Sequence, residues 1–498
     1  MAVNADGIAA EEPGRRALNP MRLAILTHRY LGIAVGFVVS AWCLSAFVML
    51  YVQYPEYTDA ERVASLDPLS FESCCPTPLS SAAGAELAYP GELRELRVEM
   101  LGGRPALRIF NSFGQQVLDL ATGDALNNLD PSRAQAVSRA FAGRVGLSAP
   151  VTLLGMVERD QWTVYASYHP HRPLYHFAAD DAAGTQWYVS GPSGEVVQIT
   201  TARDRFWNWL GAVTHWIYFT GFREHTAVWA QTVIWLTIVA TFLTVLGLYI
   251  GIKQIKRRRS QRWTPYRGFA LWHHITGLVF GVLVLTWLVS GFFSMNPWGA
   301  LEGRSFGAEY ARLRGGSINP AEAAQVLQSL PSRALPESTV RIESTLLSQR
   351  LAWVATNAQG QRTRLDAVSF EPAPLRDTDF EQAAIRMRPE VAVAEQGWLG
   401  EDDSYYYSHH EMAEFPVYRI IYADGERFYL DAASGELIRA LDTPRRWYRW
   451  LFEGLHRGDF ARLLRARPVW DLFMLPLLFG VTLGALTGTW MGIRRLRR

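Results

Sequence analysis

Two histidines that are each followed by regularly spaced glycines have the pattern best suited to cofactor binding in this sequence. In both cases the glycines come four and eight residues after the histidine, so the three residues share one face of a helix. The two sets are His28, Gly32, Gly36 and His273, Gly277, Gly281. A histidine within a long apolar run is costly and usually functional. Two such helices would offer two imidazoles across one cavity with bare backbone beside them, as a six-coordinate haem requires.

A second matched pair, His215 and His456, lies in Trp-rich segments just before two other apolar runs. We predict that this pair binds a second haem, so that the cofactors are two haems b and all four histidines are ligands. His274 is an alternative ligand to His273, although it points about 100° away around the helix. The ordinary explanations are that glycines at this spacing pack helices and that interfacial histidines are solvated. Packing is preferred for the glycines of the two other apolar runs, which are Gly247, Gly251, Gly480, Gly484, Gly488 and Gly492.

Four apolar runs must position these residues. The 498-residue chain is 49% apolar and 19% charged, and its apolar residues are concentrated in four stretches. Each stretch is long enough to cross a hydrocarbon core about 30 Å thick as a helix. The predicted segments are an N-tail at 1–22, span 1 at 23–53, an outer domain at 54–205, an interfacial helix at 206–227, span 2 at 228–252, a basic loop at 253–268, span 3 at 269–295, a second outer domain at 296–444, an interfacial helix at 445–468, span 4 at 469–493 and a C-tail at 494–498.

The distribution of Lys and Arg in the short segments predicts the orientation. Basic residues are concentrated in the N-tail, in the loop between spans 2 and 3, and in the C-tail. Because such segments stay in the cytoplasm, we expect a multi-pass protein of the bacterial inner membrane with both termini cytoplasmic. The two large domains are then periplasmic, and the lipid bilayer is a partner. The near-neutral net charge of +2 gives no indication of nucleic-acid binding.

The chain also contains an internal repeat. Setting Gly435 against Gly194, an offset of 241 residues, aligns Trp450 with Trp209 and His456 with His215 without a gap. The first and third spans align at an offset of 245. The pattern predicts span–domain–span twice in the same orientation. Each domain is predicted to be α+β, with a β-hairpin around a Ser-Gly turn and a short amphipathic helix, at 131–145 in the first and 320–330 in the second.

Several other polar residues could have a function. Two outer stretches combine tyrosine and histidine and could contact an external iron chelate, although surface polarity is the commoner explanation; the candidates are His169, His171, Tyr407, His409 and His410. The vicinal pair Cys74 and Cys75 could form a disulfide or bind a soft metal, but an incidental loop pair is preferred. The sequence contains no nucleotide-binding loop, nucleophile elbow or zinc-protease motif, so hydrolytic and nucleotide-driven chemistry has no support.

These residues resemble a known family, the PepSY-associated transmembrane proteins of Gram-negative inner membranes. The matching motifs are the HRYLGIAVG and HHITGLVFG span starts, the SGEVV and SGELI hairpins, the Trp-rich segments that follow them, and the stretch YYYSHH…FPVYRI. The resemblance covers nearly all of the chain after about residue 20. It implies PepSY-like outer domains, haem between the spans, and the reduction of ferric siderophores in the periplasm.

The predicted function is that of a ferric-siderophore reductase that passes electrons across the membrane. Other members of the family have a flavodoxin-like reductase domain behind the spans. None follows the last span here, so the electron donor is expected to be a separate cytoplasmic or membrane protein. The alternative is a non-redox PepSY protein with a binding or regulatory role in the cell envelope, because PepSY domains resemble protease-inhibiting propeptides.

Overall fold

The computed structural model describes residues 19–72, 74, 91–255, 263–407 and 413–497. Its contacts divide the chain into two compact units, each assembled from separate stretches of sequence. The first unit takes its described residues from 1–44, 234–289 and 474–498, and the second takes its described residues from 45–233 and 290–473. The long apolar helices make up the first unit and continue into the second, which also contains all the described β-strands.

Four helices in the described part of the chain are long and apolar enough to cross a membrane: span 1 at Pro20–Met49, span 2 at Thr226–Lys253, span 3 at Phe269–Ser294 and span 4 at Val469–Leu496. The prediction of four helices that are able to span a membrane is therefore confirmed. Span 1 ends at Met49, four residues before its predicted end at 53. Only 22–33% of the most apolar stretch of each helix is buried, so most of the apolar surface faces outward, as in a membrane protein.

The described strands form three antiparallel sheets within the second unit. One sheet has six strands in the order β10-β9-β8-β1-β2-β3, and the other two have four strands each, in the orders β4-β5-β6-β7 and β11-β12-β13-β14. The strands are β1 Leu93–Leu101, β2 Arg104–Asn111, β3 Gly114–Asp119, β4 Val151–Val157, β5 Leu174–Ala179, β6 Gln186–Ser190, β7 Val196–Thr200, β8 Thr339–Leu347, β9 Arg350–Asn357, β10 Arg362–Asp366, β11 Val393–Leu399, β12 Val417–Tyr422, β13 Arg427–Asp431 and β14 Leu437–Leu441.

The six-stranded sheet is shared between the two outer segments of the sequence. Its central contact is the antiparallel pair β1–β8, in which Val98 lies opposite Ile342 and Arg97 lies opposite Glu343. The helix Pro320–Ser329 contributes Val326 and Leu327 to the core of this sheet. The α+β composition is as predicted, but the two outer segments are joined through one sheet instead of folding as two separate domains.

Each four-stranded sheet packs against one helix. Pro131–Arg144 lies against the β4–β7 sheet, and Asp377–Met387 lies against the β11–β14 sheet. The predicted hairpins are present, since β6 pairs with β7 and β13 pairs with β14 around the two Ser-Gly turns. The turn glycines Gly194 and Gly435 have φ values of +71° and +75°, a conformation that glycine adopts without steric cost.

The segments before spans 2 and 4 consist of short helices, where continuous interfacial helices were expected. Gly211 separates the first two helices of the first segment, and Gly458, with a φ of +78°, ends the third helix of the second. The helices are Ala202–Leu210, Ala212–His215 and Thr220–Arg223 in the first segment, and Thr443–Tyr448, the π-helix Arg449–Gly454, Leu455–Arg457 and Arg462–Arg465 in the second.

The remaining described elements are short. They are the helices Asp59–Ala64 and Gly307–Arg314 and the 3-10 turns Ala166–His171, Pro297–Gly299 and Leu330–Ser332. Cys43 is a buried free thiol. Cys74 is disulfide-bonded, so the expectation of an incidental cysteine pair was wrong for this residue, and Cys75 lies outside the described residues.

Candidate functional site

The structure brings His28 and His273 together within the first unit. Their ring centroids are 6.2 Å apart, and the ring planes are tilted by 40°. His28 Nδ1 lies 3.2 Å from the carbonyl oxygen of Leu243 on span 2, and His273 Nδ1 lies 3.0 Å from that of Gly484 on span 4. A carbonyl oxygen can only accept, so each Nδ1 donates its proton. Each Nε2 therefore carries the lone pair that can bind a metal.

Two glycines make this arrangement sterically possible. A Cβ atom on Gly247 would lie 2.6 Å from His28 Cε1, and one on Gly488 would lie 2.8 Å from His273 Cε1. Real Cβ contacts are almost never shorter than 3.0 Å. These glycines, which the sequence analysis assigned to helix packing, let the histidine rings lie against the backbone of spans 2 and 4.

The glycines that were predicted to pack against haem behave in two ways. Among the described residues, no atom lies within 4 Å of a Cβ built on Gly32 or Gly277. In contrast, Gly36 meets Thr489 at 3.1 Å, and Gly281 meets Leu248 at 2.5 Å. The first two glycines leave open surface beside the histidine pair, whereas the other two pack against neighbouring spans.

His274 uses both of its ring nitrogens within the protein. Nε2 lies 2.9 Å from the carbonyl oxygen of Gly251 and must donate to it, so Nδ1 accepts a 2.7 Å hydrogen bond from the Thr264 hydroxyl. The ring also stacks on Trp263 at 5.4 Å. These contacts tie the segment before span 3 to the end of span 2 and leave neither ring nitrogen with a lone pair for a metal.

The structure also brings His215 and His456 together, within the second unit. Their ring centroids are 6.3 Å apart. Each Nδ1 is hydrogen-bonded to a buried serine, His215 to Ser45 at 3.1 Å and His456 to Ser290 at 3.0 Å. Ser45 belongs to span 1 and Ser290 to span 3, so both rings are held by residues near the ends of long helices.

Two tryptophans fix the short helices that carry this second pair. The indole N–H of Trp229 donates a 2.9 Å hydrogen bond to the carbonyl oxygen of Trp216. The indole N–H of Trp470 donates a 2.8 Å bond to the carbonyl oxygen of Arg457. Each acceptor is the residue that directly follows a histidine of the pair, so the bonds attach both ligand-bearing turns to the segments that lead into spans 2 and 4.

The geometry of both pairs fits a metal held between two imidazoles. A metal–imidazole bond is about 2 Å long, and a ring nitrogen lies about 1 Å from its own ring centre, so two rings on one metal have centroids about 6 Å apart. Such rings can be twisted around their common axis, which fits the tilts of 40° and 72°. Ordinary aromatic packing also spans about 4.5–7 Å, so the proton positions in the first pair are the more specific observation.

The donor set favours haem over a metal held by the protein alone. Within the described residues, no group of three or more His, Cys, Asp or Glu side chains could hold a metal ion. Haem iron takes four ligands from the porphyrin and needs only two from the protein. Two imidazoles at each site, with open surface beside Gly32 and Gly277, therefore suit haem.

The structure places the predicted chelate-contact residues in different surroundings. His169 is exposed in the turn Ala166–His171. His171 is half-buried beside Glu195, and burial lowers the pKa of this imidazole. The Tyr407 hydroxyl donates a 2.5 Å hydrogen bond to Glu453. His409 and His410 lie outside the described residues. Of the described candidates, His171 and Tyr407 therefore have different carboxylate partners, Glu195 and Glu453.

A buried ionic cluster, which the sequence analysis missed, attaches the first Ser-Gly turn to the six-stranded sheet. Arg108 lies 2.5 Å from Glu99 and donates to the carbonyl oxygen of Ser193 at 2.6 Å. Burial alone would raise the pKa of Glu195, but the guanidinium groups of Arg108 and Arg62 outweigh it and hold this pKa well below its usual range. The cluster keeps its charges paired, so its role is to hold the sheets together.

The negative charge of the matching glutamate in the second Ser-Gly turn, Glu436, is less fully balanced by nearby cations. Among the described residues, Glu436 forms one ion pair, with Arg314 at 3.6 Å. Burial, followed by the charge of Glu95, raises the pKa of Glu436 to about 7. Equivalent glutamates in the two halves therefore differ in charge state near neutral pH.

Comparisons of this chain with protein-family models, with curated proteins and with solved structures gave no match.

Proposed function

We propose that this chain is a haem-containing reductase of the bacterial inner membrane that passes electrons across the membrane and reduces ferric siderophores in the periplasm. The observation that carries the proposal is the first histidine pair, His28 and His273. Both rings donate Nδ1–H to a carbonyl of a neighbouring span, both present an unprotonated Nε2, and their separation suits one metal between them. Ordinary packing of two histidines does not require the same proton position in both.

The recurrence of each contact supports the proposed duplication. Leu243 and Gly484, the carbonyl partners, differ by the same offset of 241 as His215 and His456. The same offset relates Gly247 to Gly488 and Trp229 to Trp470. The contacts around the histidines therefore follow the same repeat as the sequence.

The proposed topology explains why two haems are required. The basic segments before span 1, between spans 2 and 3, and after span 4 favour cytoplasmic termini and periplasmic sheets. A hydrocarbon core is about 30 Å thick, and electron tunnelling falls steeply with distance, so a single haem could not serve both faces. When bound, haem would supply reversible one-electron redox chemistry at each histidine pair.

The protein residues have three functions in this proposal. The two carbonyl groups fix the imidazole tautomers of His28 and His273, and Ser45 and Ser290 orient His215 and His456. The apolar spans exclude water from the first pair. The PepSY resemblance suggests the substrate: siderophore oxygens are hard ligands that hold Fe(III) better than Fe(II), so reduction releases iron without breaking the chelator. The electron donor would be a separate cytoplasmic or membrane protein.

The test is a reduced-minus-oxidised absorption spectrum of the detergent-purified chain, with haem quantified as the pyridine haemochrome. We expect low-spin b-type bands and two haems per chain. His28→Ala/His273→Ala and His215→Ala/His456→Ala should each retain one haem, and the control His274→Ala should retain both. A colourless protein from haem-replete cells would refute the proposal and favour the non-redox PepSY function. Full haem content in His28→Ala/His273→Ala would refute the assignment of the first pair.

The reductase activity needs its own assay. Chemically reduced protein should convert a ferric siderophore to Fe(II), which a ferrous-specific chelator detects by its colour, and the haem spectrum should return to the oxidised form at the same rate. Haem that stays reduced in the presence of ferric siderophore would refute the assignment of ferric siderophore as the substrate. It would not affect the assignment of the haem sites.

A further inference from the structure

The two halves of the chain differ in charge around the second histidine pair. Residues 443–468, which carry His456, contain seven arginines and two acidic residues. The matched residues 202–227, which carry His215, contain three arginines and two acidic residues. The additional cations are not needed for the repeated fold. In the first half, His215 bonds to Ser45 without them, just as His456 bonds to Ser290 in the second half.

Two of these arginines are buried beside one tyrosine. Arg449 is 2% exposed, and the side chain of Arg465 is 8% exposed. Their guanidinium carbons lie 4.8 and 4.0 Å from the ring centroid of Tyr407. At the offset of 241, the first half has Asn208 and Glu224 in the corresponding positions, so this pair of cations is specific to the second half.

The hydrogen-bonding capacity of these two cations is only partly used. Arg449 donates to the carbonyl oxygens of Ser404 and Asp459, but its Nη1 has no partner among the described residues. Arg465 Nε and Nη1 likewise have no acceptor in the described part of the chain. The carboxylate of Asp402 pairs with Arg465 at 4.0 Å, which is beyond hydrogen-bond distance. Buried N–H groups of charged side chains are rarely left without an acceptor.

The nearby Glu453 does not satisfy these groups. It lies 3.6 Å from Arg449 Nε and accepts the 2.5 Å hydrogen bond from Tyr407. It thus compensates part of the charge without bonding to Arg449 Nη1. The buried Asp459 carboxylate lies 3.4 Å from the same Tyr407 hydroxyl, and it does not bond to Arg449 Nη1 either. The unsatisfied donors in this described region suit an acceptor with two oxygens, because a guanidinium group presents paired N–H donors that match a carboxylate.

We propose that Arg449 and Arg465 form a carboxylate subsite beside His456. This inference rests on the proposed function, which offers two sources of a carboxylate at this place, a haem propionate or a carboxylate arm of the ferric chelate. The turn Leu455–Arg457 follows the π-helix that begins at Arg449 without a break. The subsite and the histidine are therefore held by one continuous stretch of backbone.

The experiment compares Arg465→Gln and Arg449→Gln with the control Arg462→Gln, whose side chain is 64% exposed and pairs with Glu401 at the surface. Two properties of the full-length purified chain are measured. One is the midpoint potential of each bound haem. The other is the affinity for redox-inert Ga(III)–citrate, followed by tryptophan fluorescence, with neutral Ga(III)–tris(acetohydroxamate) as the uncharged reference. Arg465→Lys, which keeps the charge, is included in case Arg465→Gln does not fold.

If a propionate occupies the subsite, loss of either cation should lower the potential of one haem, because a positive charge favours the reduced form. If a chelate carboxylate occupies it, Arg465→Gln should weaken Ga(III)–citrate binding at least tenfold and leave the neutral complex unaffected. In both cases Arg465→Lys should show a smaller effect and Arg462→Gln none.

The subsite is refuted if neither property changes, or if Arg462→Gln reproduces the change. The two proposals can fail separately. If the protein contains no haem but Arg465→Gln weakens citrate binding, the subsite is supported and the reductase function is refuted. If the protein contains haem but the variants change neither the midpoint potentials nor the citrate affinity, the reductase function survives and the subsite is refuted. A haem-free protein that binds no Ga(III)–citrate would refute both.

Discussion

The contact between Gly247 and His28 allows a sharp test with a single methyl group. In Gly247→Ala the new Cβ would lie 2.6 Å from His28 Cε1, so the ring must move by roughly 0.8 Å to restore an ordinary contact of about 3.4 Å. Metal–ligand distances tolerate only about 0.2 Å. Either the ring moves several times further than a metal–nitrogen bond tolerates, or it stays in place and the contact between the helices is overpacked.

The expected cost follows from this overlap. Overpacking by one methyl group costs about 1–3 kcal/mol, which corresponds to a loss of about 5- to 150-fold in haem affinity at this pair. Gly488→Ala produces the same overlap with His273, at 2.8 Å, and should have the same effect. Alanine is a better helix former than glycine by up to about 1 kcal/mol, so any loss of haem occurs against a gain in helix stability.

The assay is haem per chain, determined as the pyridine haemochrome after detergent washing, with far-UV circular dichroism as a check on folding. Wild type should retain two haems, and Gly247→Ala and Gly488→Ala should each retain one. The matched control is Gly251→Ala, one turn further along span 2, where the Cβ meets the flexible end of Leu278 at 3.1 Å and His274 Cδ2 at an ordinary contact distance of 3.7 Å. Two haems with unchanged spectra in both test variants would refute the assignment of His28 and His273 as facing ligands.

Two further predictions concern the second unit. Trp470→Phe removes the indole N–H that donates to the Arg457 carbonyl, at a cost of about 1–3 kcal/mol if the carbonyl stays buried and unpaired. The haem content of this variant should fall towards one per chain. The control Trp447→Phe, at an exposed position, should keep two haems. Because the pKa of Glu436 is raised to about 7 from 4.5, its contribution to stability is complete below about pH 4.5 and is lost as the pH rises through about 7. Glu436→Gln should flatten the decline in the thermal midpoint between about pH 4.5 and pH 7, whereas Glu195→Gln should lower the midpoint without flattening that decline.

The four spans could be predicted from the sequence because their signal is local. Each is a long run of apolar residues, and the length needed to cross a bilayer is fixed by helix geometry. The two hairpins were equally accessible, since a Ser-Gly turn between alternating apolar residues needs no information from distant residues. The predicted helix at 131–145 is present as Pro131–Arg144, and the one at 320–330 as Pro320–Ser329.

One helix was missed although its signal was present. Asp377–Met387 places Phe380, Ala383, Ala384 and Met387 on one face, a spacing typical of an amphipathic helix. The sequence analysis instead predicts 320–330 as the second-half equivalent of 131–145. In the structure, Asp377–Met387 occupies that place against the four-stranded sheet.

The parts of the candidate site that could not be predicted depend on which residue faces which. The sequence placed the four histidines in two pairs, and the structure brings both pairs together. It could not distinguish Gly247, which faces His28, from Gly36, which faces Thr489, because both are glycines on apolar helices. The match to His28 favours His273 over His274, and the carbonyl partners on other spans agree with that choice.

The shared six-stranded sheet has a consequence for how the protein is made. Strand β1 pairs with β8, which is synthesised about 250 residues later, after spans 2 and 3, and such distant pairing slows folding. At a synthesis rate of about 5–20 residues per second, β1 waits for tens of seconds with one edge unpaired. An unpaired edge is a template for pairing with other chains. Arg97 and Glu99 of β1 carry charges that oppose pairing with other chains until β8 is synthesised. Glu343 and Arg341 of β8 then pair opposite them.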